Sequence, residues 1–247
     1  MGSSPLFSII TVTWNAAPVL SDTIASLRAQ TSTDFEWIVV DGASQDTTLE
    51  VVGAHHPDVL CSEPDRGIFD AMNKAVSLAN GSWLYFLNAG DCFSDARVLE
   101  EVAAKLKQDE LASADILFGD VIYCGKRGNR LRRFNWLRPW KLKYGDLCHQ
   151  AVFARRDLFE RVGGFNLAYK FNADYDWLLR AQRALARFYY LPRLIARFDD
   201  SGAHVKHAQQ SAIERRQVVS NFTSVWKWKL FNTYLKCELK LRRFSTG

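Results

Sequence analysis

The chain has 247 residues, 48% of them apolar and 24% charged, with a formal net charge of +5. That balance excludes a disordered chain, a collagen-like chain and a small disulfide scaffold, and the length suits one large domain or one domain with an extension. Five cysteines (Cys61, Cys92, Cys124, Cys148 and Cys237) are scattered and never spaced C-x-x-C. A zinc site or disulfide framework is not expected, and reduced thiols in a cytosolic protein are. The N-terminus MGSSPLFSIITVTWN lacks the basic start of a signal peptide, and nowhere do about 18 apolar residues run together as a membrane span requires.

Taken in chain order, FSIITVTW reads as a first strand, and Ala17 to Gln30 as a helix on the spacing of Leu20, Ile24 and Leu27. EWIVVDG is a second strand, TTLEVVGA a short helix, and DVLCSEPD a third strand. IFDAMNKAVSLA is helical, with Asn80-Gly81 as its stop signal. SWLYFLNAGD is a fourth strand, ARVLEEVAAKLK a helix, and ADILFGDVIYC a fifth strand. Near-continuous apolar strands alternating with helices predict an α/β fold with a mainly parallel sheet covered on both faces. From Gly125 to about Lys143 the stretch GKRGNRLRRFNWLRPWKLK is basic and aromatic without a clean period. HQAVFARRDLFERVGGF then suggests a strand, a helix and a Gly-Gly turn. DYDWLLRAQRAL is helical, RFYYLPRLIARF is a strand interrupted by Pro192, and His207 to Arg243 reads as helix.

Acidic residues recur at one place in this pattern. Asp41, Asp65 and Asp91 end the second, third and fourth strands, and Asp120 lies within or just beyond the fifth. Ligands of open α/β sheets bind outside the carboxyl ends of the strands. Carboxylates gathered there repel one another unless a cation, basic side chains or ligand donors offset the repulsion. Singly, Asp41-Gly42 and Asp65-Arg66-Gly67 also suit turns, and Asp91 a cap. No G-x-G-x-x-G follows the first strand and no phosphate-binding P-loop occurs, which argues against a dinucleotide or P-loop site. No G-x-S-x-G elbow supports a serine hydrolase.

SIITVTWN, VVDGASQDTT, EPDRGIFDAMNKA and WLYFLNAGD resemble, in order and spacing, the nucleotide-sugar half of inverting family 2 glycosyltransferases of the GT-A fold. CHQAVFARRDLF, GGF and ADYDWLLR look like the acceptor half of bacterial members that build surface polysaccharides such as O-antigen. The resemblance covers about Leu6 to Asp200. It implies a GT-A domain over residues 1–204, with a nucleotide-sugar half over about 6–120 and an acceptor half over about 121–204. It also implies roles. Thr11, Thr13 and Asn15 would lie along the nucleotide, and Asp41 would accept from the base. Ser44 and Asp46 share that loop, and Asp65 and Arg66 would sit by base, ribose or sugar. Asp70, Asn73 and Lys74 would open a helix toward the cleft, although Arg66 and Lys74 also suit plain surface charges.

The family's metal motif stands here as Asn88-Ala89-Gly90-Asp91, with Asn88 and Gly90 beside the donor and Asp91 retained for Mn²⁺ or Mg²⁺. A single carboxylate with phosphates and water can hold such an ion, and Asn88 is a poorer, neutral ligand. Asp174 matches the position of the catalytic base. Asp176, two residues on, points about 200° away around a helix. His149, Gln150, Asp176 and His204 fall on the acceptor or diphosphate side, and His149 equally suits a structural role.

The expected activity is inverting transfer of a hexosyl or N-acetylhexosaminyl group from a UDP-linked sugar to a hydroxyl of a lipid-linked glycan. The alternative is a nucleotide-sugar hydrolase or an inactive nucleotide-sugar-binding module. Residues 205–247 form a basic amphipathic extension. Trp228, Phe231, Leu235 and Leu239 lie on one side of it, with Lys229, Lys236, Lys240 and Arg243 beside them. That composition suits a membrane surface or a packing or homodimer helix. Together with RLRRFNWLRPWKLK it suits an anionic bilayer surface, and the resemblance to polysaccharide-assembly enzymes implies a cytoplasmic protein peripheral on the inner face of the plasma membrane; no nucleic-acid partner is expected.

Overall fold

A computed structural model describes residues 4–125, 128–144, 147–199, 207–224, 226–230 and 233. In chain order, β1 (Phe7–Thr13) leads into α1 (Ala17–Arg28), β2 (Phe35–Asp41) into α2 (Thr48–Gly53), and β3 (Val59–Ser62) into α3 (Ile68–Leu78). β4 (Trp83–Phe86), the two-residue β5 (Cys92–Phe93), α4 (Val98–Leu106) and β6 (Ile116–Gly125) follow. Then come β7 (Gly128–Arg132), β8 (Val152–Arg155), α5 (Arg156–Val162), α6 (Ala173–Arg183), β9 (Phe188–Asp199) and α7 (Ala208–Ser220).

Among the described residues the strands form one mixed sheet in the order β3-β2-β1-β4-β8-β6-β9-β5, with β7 also paired to β6. The expected parallel ladders run through β3, β2, β1 and β4, and β6 pairs parallel to β9. β8 enters antiparallel between β4 and β6. β1 is buried along its whole length and β2 nearly so, as strands covered on both faces must be. Pro18 starts α1, where its missing N–H costs no hydrogen bond, and Leu20, Thr23, Ile24 and Leu27 form its buried stripe.

Four local expectations are corrected. The fourth strand stops at Phe86, and the chain turns through Asn88–Asp91 before β5. α3 ends at Leu78, and Gly81 does not cap it: a Cβ there would lie 2.5 Å from the Ser8 backbone nitrogen. Close approach of two chain segments, not helix termination, requires glycine at that point. The basic stretch after Gly125 contains β7, whose exposed residues alternate without an apolar face and so leave no period to read. Pro192 does not interrupt β9; the strand bulges, and its register shifts between the Phe118 and Val121 pairings.

An aromatic cluster fastens the later helices to the early strands. Phe69 of α3 and Phe86 of β4 each lie 5.5 Å from the Phe165 ring, and Phe159 of α5 stacks on Trp177 of α6 at 4.3 Å. α7 is docked by Glu214, which accepts the N–H groups of Lys170 and Phe171 at 3.0 and 2.8 Å.

At the amino-terminal side of the sheet, Glu36 accepts the Ser8 hydroxyl at 2.5 Å and the N–H groups of Asn80 and Gly81 at 2.6 and 2.9 Å. Burial alone raises the Glu36 carboxyl, but these donors outweigh it and hold the group below its ordinary value of 4.5. A depressed carboxylate contributes stability above its unfolded value, and that stability is lost as pH falls through the folded one. Glu36→Gln is expected to lower the thermal midpoint at pH 7, by about 1–3 kcal/mol of stability. The gap to wild type should close as the pH is taken below 4.5. Circular dichroism melts across that range check it.

Candidate active site

Parallel register builds the first part of the site. Thr13 of β1 lies beside Asp41 of β2, and Asp41 beside Ser62 of β3. Asp41 is fully buried. It accepts the Thr13 hydroxyl at 2.8 Å, the Ser62 hydroxyl at 2.8 Å, and the Ser44 N–H and hydroxyl at 2.8 and 2.5 Å. Burial alone pushes this carboxyl up; the donors from Ser44, Thr13 and Ser62 together outweigh it and hold the group below the usual carboxylate range. Those four bonds fill the acceptor capacity of a carboxylate. Asp41 therefore organises the loop after β2, and a nucleobase would have to displace one of these donors to bond it.

The loops after β1 and β2 are stitched together. Asn15 donates its N–H to Ser44 Oγ and accepts from Gln45 N–H, each at 2.8 Å. Thr48 Oγ1 accepts the N–H groups of Ala16 and Ala17 at the start of α1, and Asp46 accepts the Thr48 hydroxyl at 2.5 Å. That Thr48 hydroxyl bond is the main cause holding the Asp46 carboxyl below its ordinary value. Thr11 differs from Thr13. It is fully buried and accepts the Trp37 indole N–H at 3.1 Å, so it lines the core and not the cleft.

Asp65 accepts Gly67 N–H at 2.7 Å, and its carboxylate occupies the space a Gly42 side chain would need. Arg66, largely exposed, bonds Asp70 at 3.0 Å. This guanidinium is the leading cause holding the Asp70 carboxyl below its usual range. Asn73 and Lys74 face protein, not an open cleft. Asn73 donates to Phe165 O at 2.9 Å and accepts Phe165 N–H at 2.7 Å; a Cβ on Gly164 would lie 2.5 Å from its oxygen. Only glycine leaves room for that clasp. Lys74 is held by Glu63 at 2.7 Å and Pro64 O at 2.8 Å.

Antiparallel register builds the second part. Leu84 pairs with Ala154 and Tyr85 with Phe153, so residues leaving β4 meet residues entering β8. Gln150 Nε2 donates to Asp91 at 3.2 Å, and Asn88 Nδ2 lies 2.9 Å from His149 Nε2. The Tyr85 hydroxyl donates to Gln150 O at 2.8 Å, and burial pushes that phenol far up, so it stays a donor. Gly90 N–H donates to Thr23 Oγ1 at 2.9 Å and fixes the turn. Asp174, the second residue of α6, accepts from His149 Nδ1 at 3.1 Å and from Tyr175 N–H at 2.8 Å. Asp174 is not the helix cap; that position belongs to Asn172.

Asp176 is placed elsewhere. It is buried and pairs with Arg180 at 2.8 Å, while Arg180 also donates to Val162 O and Gly164 O. It therefore braces the Gly-Gly turn, because two residues along a helix put it on another face. Asp120 likewise serves structure, accepting Phe134 N–H and the Tyr190 hydroxyl at 2.9 and 3.0 Å. Burial leads in pushing the Tyr190 phenol up to about 12. His204 lies outside the described residues. Ser62, Thr48, Thr23 and Tyr85 were not singled out from the sequence. Ser62 was readable in principle, since parallel strands of known ends place it beside Asp41.

Asp91 and the Asn88 amide oxygen are hard oxygen donors of the type Mn²⁺ and Mg²⁺ take. Asn88 Oδ1 is buried and has no hydrogen-bond partner among the described residues. No cluster of three or more His, Cys, Asp or Glu side chains suited to a metal occurs among them. The residues therefore fit an ion completed by phosphate and water, not an all-protein cage.

The family described as Glycosyl transferase family 2 matches residues 8–163. The chain belongs to that family. A "PGL/p-HBAD biosynthesis glycosyltransferase" of Mycobacterium bovis is 38% identical over 187 residues, which are 72% of this chain and 70% of that protein. The "O-antigen biosynthesis protein RfbC" of Myxococcus xanthus is 27% identical over 190 residues, 73% of this chain but only 15% of that one. Among solved structures, S. aureus TarS 1-349 in complex with UDP-GlcNAc has a TM-score of 0.65 and 19% identity, with 87% of this chain and 71% of that chain covered. The longer S. aureus TarS chain is covered over 42% of its length. The mannosyltransferase PcManGT from Pyrobaculum calidifontis, in complex with GDP-Man and Mn2+, has a TM-score of 0.62 and 17% identity, with 99% of this chain and 84% of that chain covered. At these identities the structures establish a shared GT-A-like α/β fold. The chain is a family 2 glycosyltransferase.

Asp41→Asn is expected to cost about 1–3 kcal/mol, because its amide turns N–H groups toward the Ser44 and Ser62 donors. Thermal melts of the variant measure it, and an unchanged midpoint would contradict the bonding described for the loop.

Proposed function

We propose that this glycosyltransferase moves a sugar, with inversion, from a nucleotide-diphospho-sugar to a hydroxyl of a lipid-linked glycan used in bacterial surface polysaccharide. The observation that carries the reading is the convergence of Asp91 and Asp174 on the neighbouring residues Gln150 and His149. One carboxylate stands where a diphosphate and cation would lie, and the other at the start of α6, across the same strand end. Names of relatives in PGL/p-HBAD and O-antigen biosynthesis support the acceptor class. The TarS complex with UDP-GlcNAc supports a UDP-linked donor, and the PcManGT complex keeps a GDP-linked donor in the test.

In inverting transfer the acceptor oxygen attacks the anomeric carbon from the side opposite the diphosphate. Asp174 takes the acceptor proton as the C–O bond forms, acting as general base. Asp91 would hold a divalent cation, which would offset the charge left on the diphosphate as its bond to the anomeric carbon breaks. Thr13, Asn15 and Ser44 border the strand ends where the nucleotide would seat, and Asp65 and Arg66 the rim. In this reading residues 1–204 form the transferase unit, α7 docks on it through Glu214, and the region after α7 adds membrane attachment.

No helix among the described residues is long and apolar enough to cross a membrane. We place the enzyme at the inner face of the plasma membrane through peripheral contact. Trp140, Leu131, Trp226 and Leu230 are exposed, with Lys141 and Lys227 beside the two tryptophans. Trp228, expected on the membrane side, instead packs half-buried against the core. Phe231, Leu235, Leu239, Lys236, Lys240 and Arg243 lie outside the described residues.

A thermal-shift panel of UDP- and GDP-sugars with and without Mn²⁺ identifies the donor, since a ligand of the folded state raises its stability. Asp91→Ala is expected to remove the metal-dependent shift. Asp174→Asn should keep the shift and lose on the order of 10²-fold in turnover. Sugar release that is equal with and without acceptor would instead identify a hydrolase.

The full chain is expected to sediment with anionic vesicles at low salt and less at high salt, because charge attraction is screened over about 10 Å at 0.1 M. Trp226→Glu with Leu230→Glu should weaken it. Equal sedimentation of wild type and variant would assign those side chains to packing or to a second subunit.

A further inference from the structure

His149 sits between an amide and a carboxylate. Asn88 Nδ2 lies 2.9 Å from its Nε2, and Asp174 Oδ2 lies 3.1 Å from its Nδ1. An imidazole between these neighbours has three proton arrangements. With the proton on Nε2 alone, a lone pair meets the Asp174 carboxylate and that contact repels, whichever way the Asn88 amide is turned. With a proton on Nδ1, alone or with one on Nε2, the imidazole donates to Asp174, and the amide can meet the other nitrogen with its oxygen or its N–H.

Asp174 is held at both oxygens, Oδ2 by the imidazole and Oδ1 by Tyr175 N–H at 2.8 Å. His149 and Asp174 are only 18% and 19% exposed. Leu84, Phe86, Val152, Phe159 and Trp177 line an apolar cavity that the two polar residues share. Poor hydration on that side strengthens a hydrogen bond to a carboxylate and reduces competition from water. A carboxylate with one oxygen tied to its own helix and the other to an imidazole loses the freedom to rotate away from an acceptor hydroxyl.

The geometry points to His149 as a positioning residue: seated between Asn88 and Asp174, it orients the Asp174 carboxylate for the acceptor hydroxyl. This rests on Asp174 being the general base.

The tautomer is measured first, on the full chain without ligand, labelled with ¹⁵N at histidine. The chain has five histidines, and His149→Asn assigns the signal. A long-range ¹H–¹⁵N spectrum at neutral pH is expected to show a proton on His149 Nδ1, as a bond to Asp174 requires. A wild-type His149 protonated at Nε2 alone overturns the inference.

Turnover is then followed as nucleoside diphosphate released from the donor found in the panel. His149→Ala should lower kcat about 10- to 100-fold, the range for losing a hydrogen bond to a charged group, with donor KM unchanged. His149→Asn, which keeps a side-chain N–H near the Nδ1 position, should recover most of it. Wild-type kcat in His149→Ala, or a loss confined to KM, overturns the positioning role. Melting midpoints separate misfolding from these effects, and an Ala variant that misfolds leaves the decision to the tautomer and to His149→Asn. Asp174→Asn separates the two readings. If it turns over normally, the base assignment fails; if it is inactive while His149→Ala is normal, only the positioning inference fails.

Discussion

The site depends on the antiparallel register between β4 and β8. Tyr85 faces Phe153 and Leu84 faces Ala154, so the chain leaving β4 runs against the chain entering β8. Asn88 and Asp91 on one side therefore meet His149 and Gln150 on the other. Those two later residues are the bridge to α6 and Asp174. A slip of one residue would invert every side chain of β8 between faces, and it would part the two groups as well. The apolar pattern of β8, buried at Val152, Phe153 and Ala154, makes that slip costly.

The carboxylates at this sheet edge avoid mutual repulsion by different means. Asp41 is surrounded by neutral donors from three strand ends and stays charged although buried. Asp70 is paired with the Arg66 cation. Gln150 reaches Asp91 and His149 reaches Asp174, so each of these carboxylates is oriented by a side chain from the start of β8.

Several polar residues of the recurrent strings have tasks other than ligand contact. Asn73 clasps the backbone at Phe165, and Arg180 does the same from α6 at Val162 and Gly164. The Gly163-Gly164-Phe165 turn is thus gripped from two helices, and the Phe165 ring sits among Phe69, Phe86 and Phe159. Arg180 and Trp177 both belong to α6, so these bonds and this packing bear on where Asp174 lies.

Alternation of apolar strands with amphipathic helices was legible in the sequence, because burial on both faces of a strand leaves an unbroken apolar run. The strings that resemble family 2 enzymes were legible too, and with them the identity of Asp41, Asp91 and Asp174 as acids at chain turns. β7 was not, since an exposed hairpin strand carries no apolar period, and neither was the end of β4, since Leu87 stays buried after the ladder stops. The division of labour among similar residues required tertiary structure. Thr11 and Thr13 share one face of β1, yet one bonds a core tryptophan and the other a loop carboxylate. Asp174 and Asp176 lie two residues apart, yet one meets His149 and the other an arginine of its own helix. Residue type and spacing decide what a side chain can do; the strand register and helix rotation that decide what it faces come from contacts between segments far apart in the chain.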